Sequence, residues 1–277
     1  MKSIGLVYPT RRQDAAQYAR RAVELLQADG IEVFCEPNEP DCIEGLPVMD
    51  AEHVPECILS FGGDGTLLRA VKHAMAPDVP VLGINLGHMG FLTEAKPDAL
   101  DDVIHSLMDG NYTIEQRWML STTLRGKGTW PALNDTCITR AGNARLITMK
   151  VFVDGEEAGR YMSDGLVICT PTGSTGYSLS AGGPIVSPRV HCMVITPVCA
   201  HSLVNRPLVV HGRAQIRVEL GDDDEMWAML QADGKNCGEL HGGDVIEVKR
   251  LEQRAKMIRL KELQFFGLVR HKLQEWS

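Results

Sequence analysis

The chain has 277 residues, 44% hydrophobic and 23% charged, with 27 Gly and 14 Pro. That is globular composition for one large or two medium domains, and it excludes collagen-like or broadly disordered sequence. Lys and Arg number 28 against 36 Asp and Glu, a net charge of −8 without a long basic run, so general binding to nucleic acid or to an anionic membrane is not expected.

Residues 3–8 form a short apolar run that reads as a first buried strand rather than a signal peptide. Residues 13–28 carry helical spacing (Ala16, Ala19, Ala22, Val23, Leu26) and stop at Gly30. Residues 31–35 alternate like a strand, and a polar loop follows to Pro55. Residues 57–61 are again a strand, running directly into Gly62-Gly63-Asp64-Gly65. A helix is predicted over 66–75, a strand over 79–85, and a helix over 97–108 with Pro97 at its start and Gly110 beyond its end. Strand–helix alternation implies a parallel sheet covered by helices. From about Asn111 the texture changes to closely spaced β-type runs (112–124, 146–153, 165–169, 192–196, 215–220, 226–230, 245–251), with turn signals at Asp154-Gly155 and Gly242-Gly243. The expected organisation is an α/β domain over 1–113, a mainly β domain over 114–261, and a closing helix over 262–277 that packs back on one of them. No stretch approaches the roughly 18 apolar residues of a membrane span.

The eight cysteines are scattered with no C-x-x-C pair and are expected to be reduced, mostly buried thiols of a cytoplasmic protein. Cys192, Cys199, His191 and His201 fit no common zinc spacing and are read as structural, so no metal-ligating residue is assigned. The acidic run 221–225 is read as a solvated turn rather than a calcium site.

Two segments carry chemistry. In Gly62-Gly63-Asp64-Gly65-Thr66, consecutive glycines after a buried strand let the backbone approach a phosphate. An acid in such a loop makes sense if Asp64 accepts a proton from an attacking hydroxyl or helps hold magnesium between phosphates; the plainer alternative is Asp64 as a helix N-cap. Neither common nucleotide-loop pattern, G-x-x-x-x-G-K-[ST] or G-x-G-x-x-G, explains it. In 170–187, eleven of eighteen residues are Ser, Thr or Gly. The block follows a strand and contains Tyr177, which suits a ligand with sugar hydroxyls and a flat base; it lacks G-x-S-x-G, so it is not a serine-hydrolase elbow. Asn134-Asp135 taken alone is more a turn than a site. The glycines around His88 suit either a tight turn or a loop lining a cleft.

Taken in order, Phe61-Gly62-Gly63-Asp64-Gly65-Thr66, Asn85-Leu86-Gly87-His88-Met89-Gly90-Phe91-Leu92, Asn134-Asp135, the 170–186 block, Ile195-Thr196-Pro197, His201-Ser202-Leu203 and Arg206-Pro207-Leu208 closely resemble the NAD kinases. These enzymes phosphorylate NAD with ATP or, in some members, polyphosphate. The resemblance implies an α/β N-terminal Rossmann-like domain and a C-terminal all-β domain, with the dinucleotide lying in the cleft they form, a divalent metal ion (Mg2+), and a homodimer or homotetramer. By position, Asp64 matches the general base for the adenosine-ribose 2′-hydroxyl, and Gly65 and Arg69 match neighbouring nucleotide contacts. Asn134 and Asp135 match an Asn-acid pair holding the dinucleotide, Arg145 and Asp164 two further ligand positions, and Thr175, Gly176, Tyr177, Ser178 and Ser180 a ligand-binding segment. Three departures are present: Asp135 where Glu is usual, Gly176 where Ala is usual, and Lys235 where Gln is frequent. The competing readings are a lipid or sugar kinase sharing the glycine loop, and a non-catalytic NAD(P)-binding regulatory protein.

Overall fold

The computed structural model describes residues 1–37, 42–87, 90–142, 146–201, 205–222, 226–262 and 264–275. His88, Arg145, the 202–203 part of the family pattern and the 223–225 part of the acidic run lie outside them. In chain order the elements are β1 (Ser3–Val7), α1 (Gln13–Ala28), β2 (Glu32–Cys35), β3 (Cys57–Gly62), α2 (Asp64–Met75), β4 (Val81–Asn85), α3 (Leu100–Met108) and β5 (Thr113–Arg117). They continue as β6 (Leu120–Leu124), β7 (Gly128–Ala132), β8 (Asp135–Arg140), β9 (Ile147–Val153), β10 (Glu156–Ser163) and β11 (Gly165–Cys169). After α4 (Tyr177–Ser180) come β12 (Cys192–Val198), β13 (Leu208–His211), β14 (Ile216–Leu220), β15 (Trp227–Ala232), β16 (Lys235–His241) and β17 (Val245–Arg250). The chain closes with β18 (Ala255–Arg259) and α5 (Phe265–Glu275).

The chain divides into two compact units, 1–116 with 255–277, and 117–254. The first is built on a sheet of order β2-β1-β3-β4-β18-β5, in which β1–β2, β1–β3, β3–β4 and β4–β18 pair in parallel. β1, β3 and β4 are buried along their whole length, as parallel strands covered on both faces must be. α1 buries the stripe Ala15, Ala19, Ala22, Val23 and Leu26, whose three alanines allow close approach. The second unit is a sandwich of two antiparallel sheets, β10-β9-β14-β17-β6-β7 and β13-β12-β11-β8-β15-β16. Their inner faces share one core, with Leu120, Met149, Val218 and Ile246 from one sheet and Ile138, Leu166, Ile195 and Leu230 from the other.

Three differences from the sequence reading have physical causes. The run 112–124 splits into β5 and β6, which belong to different sheets. Residues 255–259, placed in the β domain by texture alone, form β18 of the first sheet, with Met257 opposite Val81. Finally, Cys35 and Cys42 are joined in a disulfide, their Cα atoms 6.3 Å apart. The expectation of eight reduced thiols is corrected for this pair, because the loop after β2 folds back on the strand end. Cys57, Cys137, Cys169 and Cys192 are free and buried.

β18 delivers a buried cation to the first sheet. Arg259, 4% exposed, donates from Nη1 to Glu94 Oε2 (2.9 Å) and from Nε to Glu115 Oε2 (2.7 Å). Nη1 also reaches the Leu92 carbonyl at 3.2 Å. Glu94 Oε1 in turn accepts the amides of Leu260 and Lys261. Arg259→Ala leaves the largely buried Glu94 side chain, 9% exposed, without its counter-charge, and a loss of about 3–5 kcal/mol in unfolding free energy is expected. Denaturant titration checks this, and an unchanged midpoint contradicts it.

Candidate active site

In the first unit, β3 ends on Gly62 and the chain turns at once into α2. Gly63 is the N-cap, with extended φ −97°, and Asp64 is the first helical residue. The helix thus begins two residues before the predicted start, where a carboxylate is favoured by the helix dipole. The N-cap reading of Asp64 does not hold: no side chain caps this helix. Its carboxylate instead accepts the Phe91 amide on Oδ2 (2.9 Å) and the Leu92 amide on Oδ1 (3.2 Å). A carboxylate has about four acceptor positions, so two backbone donors fix its orientation and leave acceptor capacity over. Gly90 lies flat on this carboxylate; a Cβ there would overlap Asp64 Oδ1. Gly62 is required in the same way, since a Cβ would strike the Thr66 hydroxyl. Gly63 and Gly65, by contrast, face open space, with no heavy atom within 4 Å of a built Cβ. Leu86 joins the loop through its amide to the Gly62 carbonyl (3.2 Å).

Arg69, one turn further along α2, is engaged inside the unit. Its Nη2 donates to the Tyr8 carbonyl at 2.8 Å, and its Nε lies 2.9 Å from Glu36 Oε1. Glu36, almost fully buried, also meets His73 Nε2 at 2.9 Å.

The second unit carries the remaining described candidates. β11 runs into Thr170, whose Oγ1 donates to the Leu133 carbonyl (2.6 Å) and whose amide donates to the Asn134 carbonyl (2.8 Å). Gly173 presses on the Asn134 backbone so closely that a Cβ would overlap its carbonyl oxygen. Gly176 lies beside both side chains: a Cβ there would be 3.8 Å from Asp135 Oδ2 and 3.9 Å from Asn134 Nδ2. Asn134 Oδ1 is buried and has no hydrogen-bond partner among the described residues, the state of a group kept for a ligand. The hydroxyls of the block divide by role. Ser174 donates to the Pro171 carbonyl (2.7 Å), Thr175 donates to the Thr172 carbonyl (3.3 Å), and Ser178, fully buried, bonds Thr196 Oγ1 (2.9 Å). Tyr177 and Ser180 are exposed. Asp164 pairs with Arg140, Oδ1 to Nε 2.8 Å, and Lys235 is exposed. Arg117, buried, donates to Thr172 Oγ1 at 3.2 Å. The sequence reading did not single out Arg117, because nothing local marks a buried arginine at the end of a strand.

Asp135 sits on β8 with 7% of its surface exposed. Burial pushes its carboxyl up to about 6; the Cys137 thiol, donating at 3.2 Å, opposes this, and the nearby Asp233 charge adds to it. A carboxyl raised from 3.8 to about 6 on folding contributes stability that is complete below the lower value and lost as pH rises through the upper one. Asp135→Asn is therefore expected to be more stable than the parent at pH 8 by about 2–3 kcal/mol, the gap closing below about pH 4. Unfolding measured across that range checks this, and a pH-independent gap contradicts it.

The chain matches the family models described as the ATP-NAD kinase N-terminal domain over residues 43–112 and the ATP-NAD kinase C-terminal domain over 133–260. An NAD kinase of Moorella thermoacetica is 39% identical over 282 residues, covering 99% of this chain and 90% of that protein. One of Syntrophotalea carbinolica is 38% identical over 281 residues, covering 99% and 98%. Among solved structures, yeast NADH kinase complexed with NADH superposes with a TM-score of 0.88 at 25% identity, covering 99% of this chain and 88% of that one. An NAD kinase from Archaeoglobus fulgidus in complex with ATP gives 0.78 at 27%, covering 98% of each.

Proposed function

This chain belongs to the NAD kinase family and phosphorylates NAD to NADP, and on that premise we propose that Asp64 is the acid that receives the proton of the adenosine-ribose 2′-hydroxyl. As the 2′-oxygen bonds to the γ-phosphorus of ATP, the bond from that phosphorus to the ADP oxygen breaks, and the hydroxyl proton passes to Asp64. Phosphoryl transfer has a largely loose transition state, so positioning and charge stabilisation carry most of the catalysis. The observation that carries this reading is the Asp64 carboxylate, oriented by the Phe91 and Leu92 amides beside two glycines with open space above them. The orphaned Asn134 Oδ1 and the buried Asp135 carboxyl support a dinucleotide-holding role for that pair.

A lone carboxylate at the loop suits Mg2+, which is commonly bound by one or two carboxylates together with substrate phosphates rather than in a protein cage. No group of three or more His, Cys, Asp or Glu able to cage a metal occurs among the described residues, so the substrate phosphates would supply most of the ligands, and Asp64 would touch the ion only through the carboxylate oxygen that does not receive the proton. Bound there, Mg2+ would neutralise developing charge on the phosphates. The family resemblance supports a homodimer or homotetramer. Among the described residues no helix is long and apolar enough to cross a membrane.

Incubating the purified protein with NAD, ATP and magnesium tests the reading. Accumulation of NADP is expected. NAD bound but unmodified favours a regulatory binder, and phosphorylation of a lipid or sugar instead favours the other glycine-loop kinases.

A further inference from the structure

The side chain that holds Asn134 and Asp135 in place lies about a hundred residues away. Asp233 is the first residue of the two-residue turn joining β15 to β16, with φ 49° followed by Gly234 at φ 72°. Its Oδ2 accepts the Leu133 amide at 2.7 Å, and its Oδ1 accepts the Asn134 amide at 2.7 Å and the Asp135 amide at 3.2 Å. Its own amide donates to the Asp135 carbonyl at 3.0 Å. The carbonyls of Leu133 and Asn134 are taken by Thr170. Every backbone polar group of 133–135 is thereby bonded, and only the side chains of Asn134 and Asp135 remain to meet a ligand. Three amides converging on one carboxylate is the arrangement usually spent on an anionic ligand; here a residue of the chain fills it.

We propose that Asp233 is a positioning residue for the dinucleotide: its carboxylate fixes the peptide that presents Asn134 and Asp135. This rests on the reading of Asn134 and Asp135 given above. The groups facing the Asp135 carboxyl are the Cys137 thiol on its own strand, Asp233 on the hairpin, Cys169 opposite it on β11 and Tyr177 on α4. Asp233 is the charged neighbour in this set that opposes ionisation of Asp135, so removing its charge moves that titration to lower pH.

The test compares Asp233→Asn with Asn134→Ala in steady-state kinetics. Asn tolerates the positive φ at this position, so the turn survives, while its NH2 group loses the bond to the Leu133 amide and its neutral oxygen accepts the other two amides more weakly. The KM for NAD is expected to rise roughly tenfold, with kcat and the KM for ATP within about twofold, and the pH dependence of the KM for NAD moves toward acid. Asp233→Gly, equally at ease at positive φ, removes both acceptor oxygens and with them all three hydrogen bonds, and is expected to raise the KM further, which keeps the test open if the Asn variant misfolds. If the KM for NAD and its pH profile stay at parent values in the Asp233 variants while Asn134→Ala raises the KM, the positioning role is overturned. If Asn134→Ala leaves the KM unchanged as well, the underlying reading of the Asn-acid pair fails with it.

Discussion

Asp64→Asn is expected to bind NAD within a few-fold of the parent and to lose at least roughly a hundredfold in turnover, the usual cost of removing a general base being 10²–10⁴. The amide keeps the size of the side chain, so Gly90 still packs flat against it, and its oxygen still accepts one of the two amides at 91–92. What it lacks is a site for the 2′-hydroxyl proton. Its NH2 group also faces the second backbone donor, which costs one hydrogen bond but leaves the loop in place. Single-turnover kinetics with saturating NAD and ATP read the chemical step directly. Turnover within a few-fold of the parent contradicts the base role.

Gly173→Ala is expected to raise the KM for NAD at least tenfold and to lower stability by about 1–3 kcal/mol, the range for forcing a methyl group into packed space. The added carbon overlaps the Asn134 carbonyl oxygen and comes within 2.7 Å of the Asn134 Cα. That backbone cannot give way, because Thr170 holds its carbonyl and Asp233 its amide. Gly176→Ala is the contrast: its new carbon approaches the Gly173 carbonyl oxygen at 3.3 Å, a contact relieved by a few tenths of an ångström, and parent-like stability is expected. Thermal unfolding of the two variants side by side checks the difference. Equal stability of the Gly173 variant and the parent contradicts the close packing.

The glycine loop and the change from α/β to β texture are legible in sequence because both are local. A buried run from Cys57 followed by glycines announces a strand and a turn, and short β-type runs announce an antiparallel sandwich. The partners of the candidate residues are not local. Asp64 finds its donors 27 and 28 residues downstream, and the Asn134 amide meets Asp233 across 99 positions; no periodicity carries such pairings. β18 was hidden for the same reason: a strand rejoining the first sheet after the whole second unit has the same alternation as one that stays. Composition singles out the Ser, Thr and Gly block as a candidate binding segment, yet composition does not say which hydroxyls are consumed in holding it. Ser178 and Thr196 bond each other in the interior, while Tyr177 is 41% exposed.

The most direct measurement is a crystal structure with NAD bound and no phosphoryl donor. A distance of about 2.6–3.2 Å from an Asp64 carboxylate oxygen to the adenosine-ribose 2′-oxygen is expected, with the Phe91 and Leu92 amides still on the same carboxylate. A 2′-oxygen beyond hydrogen-bond reach of Asp64, with another side chain or solvent in its place, contradicts the assignment.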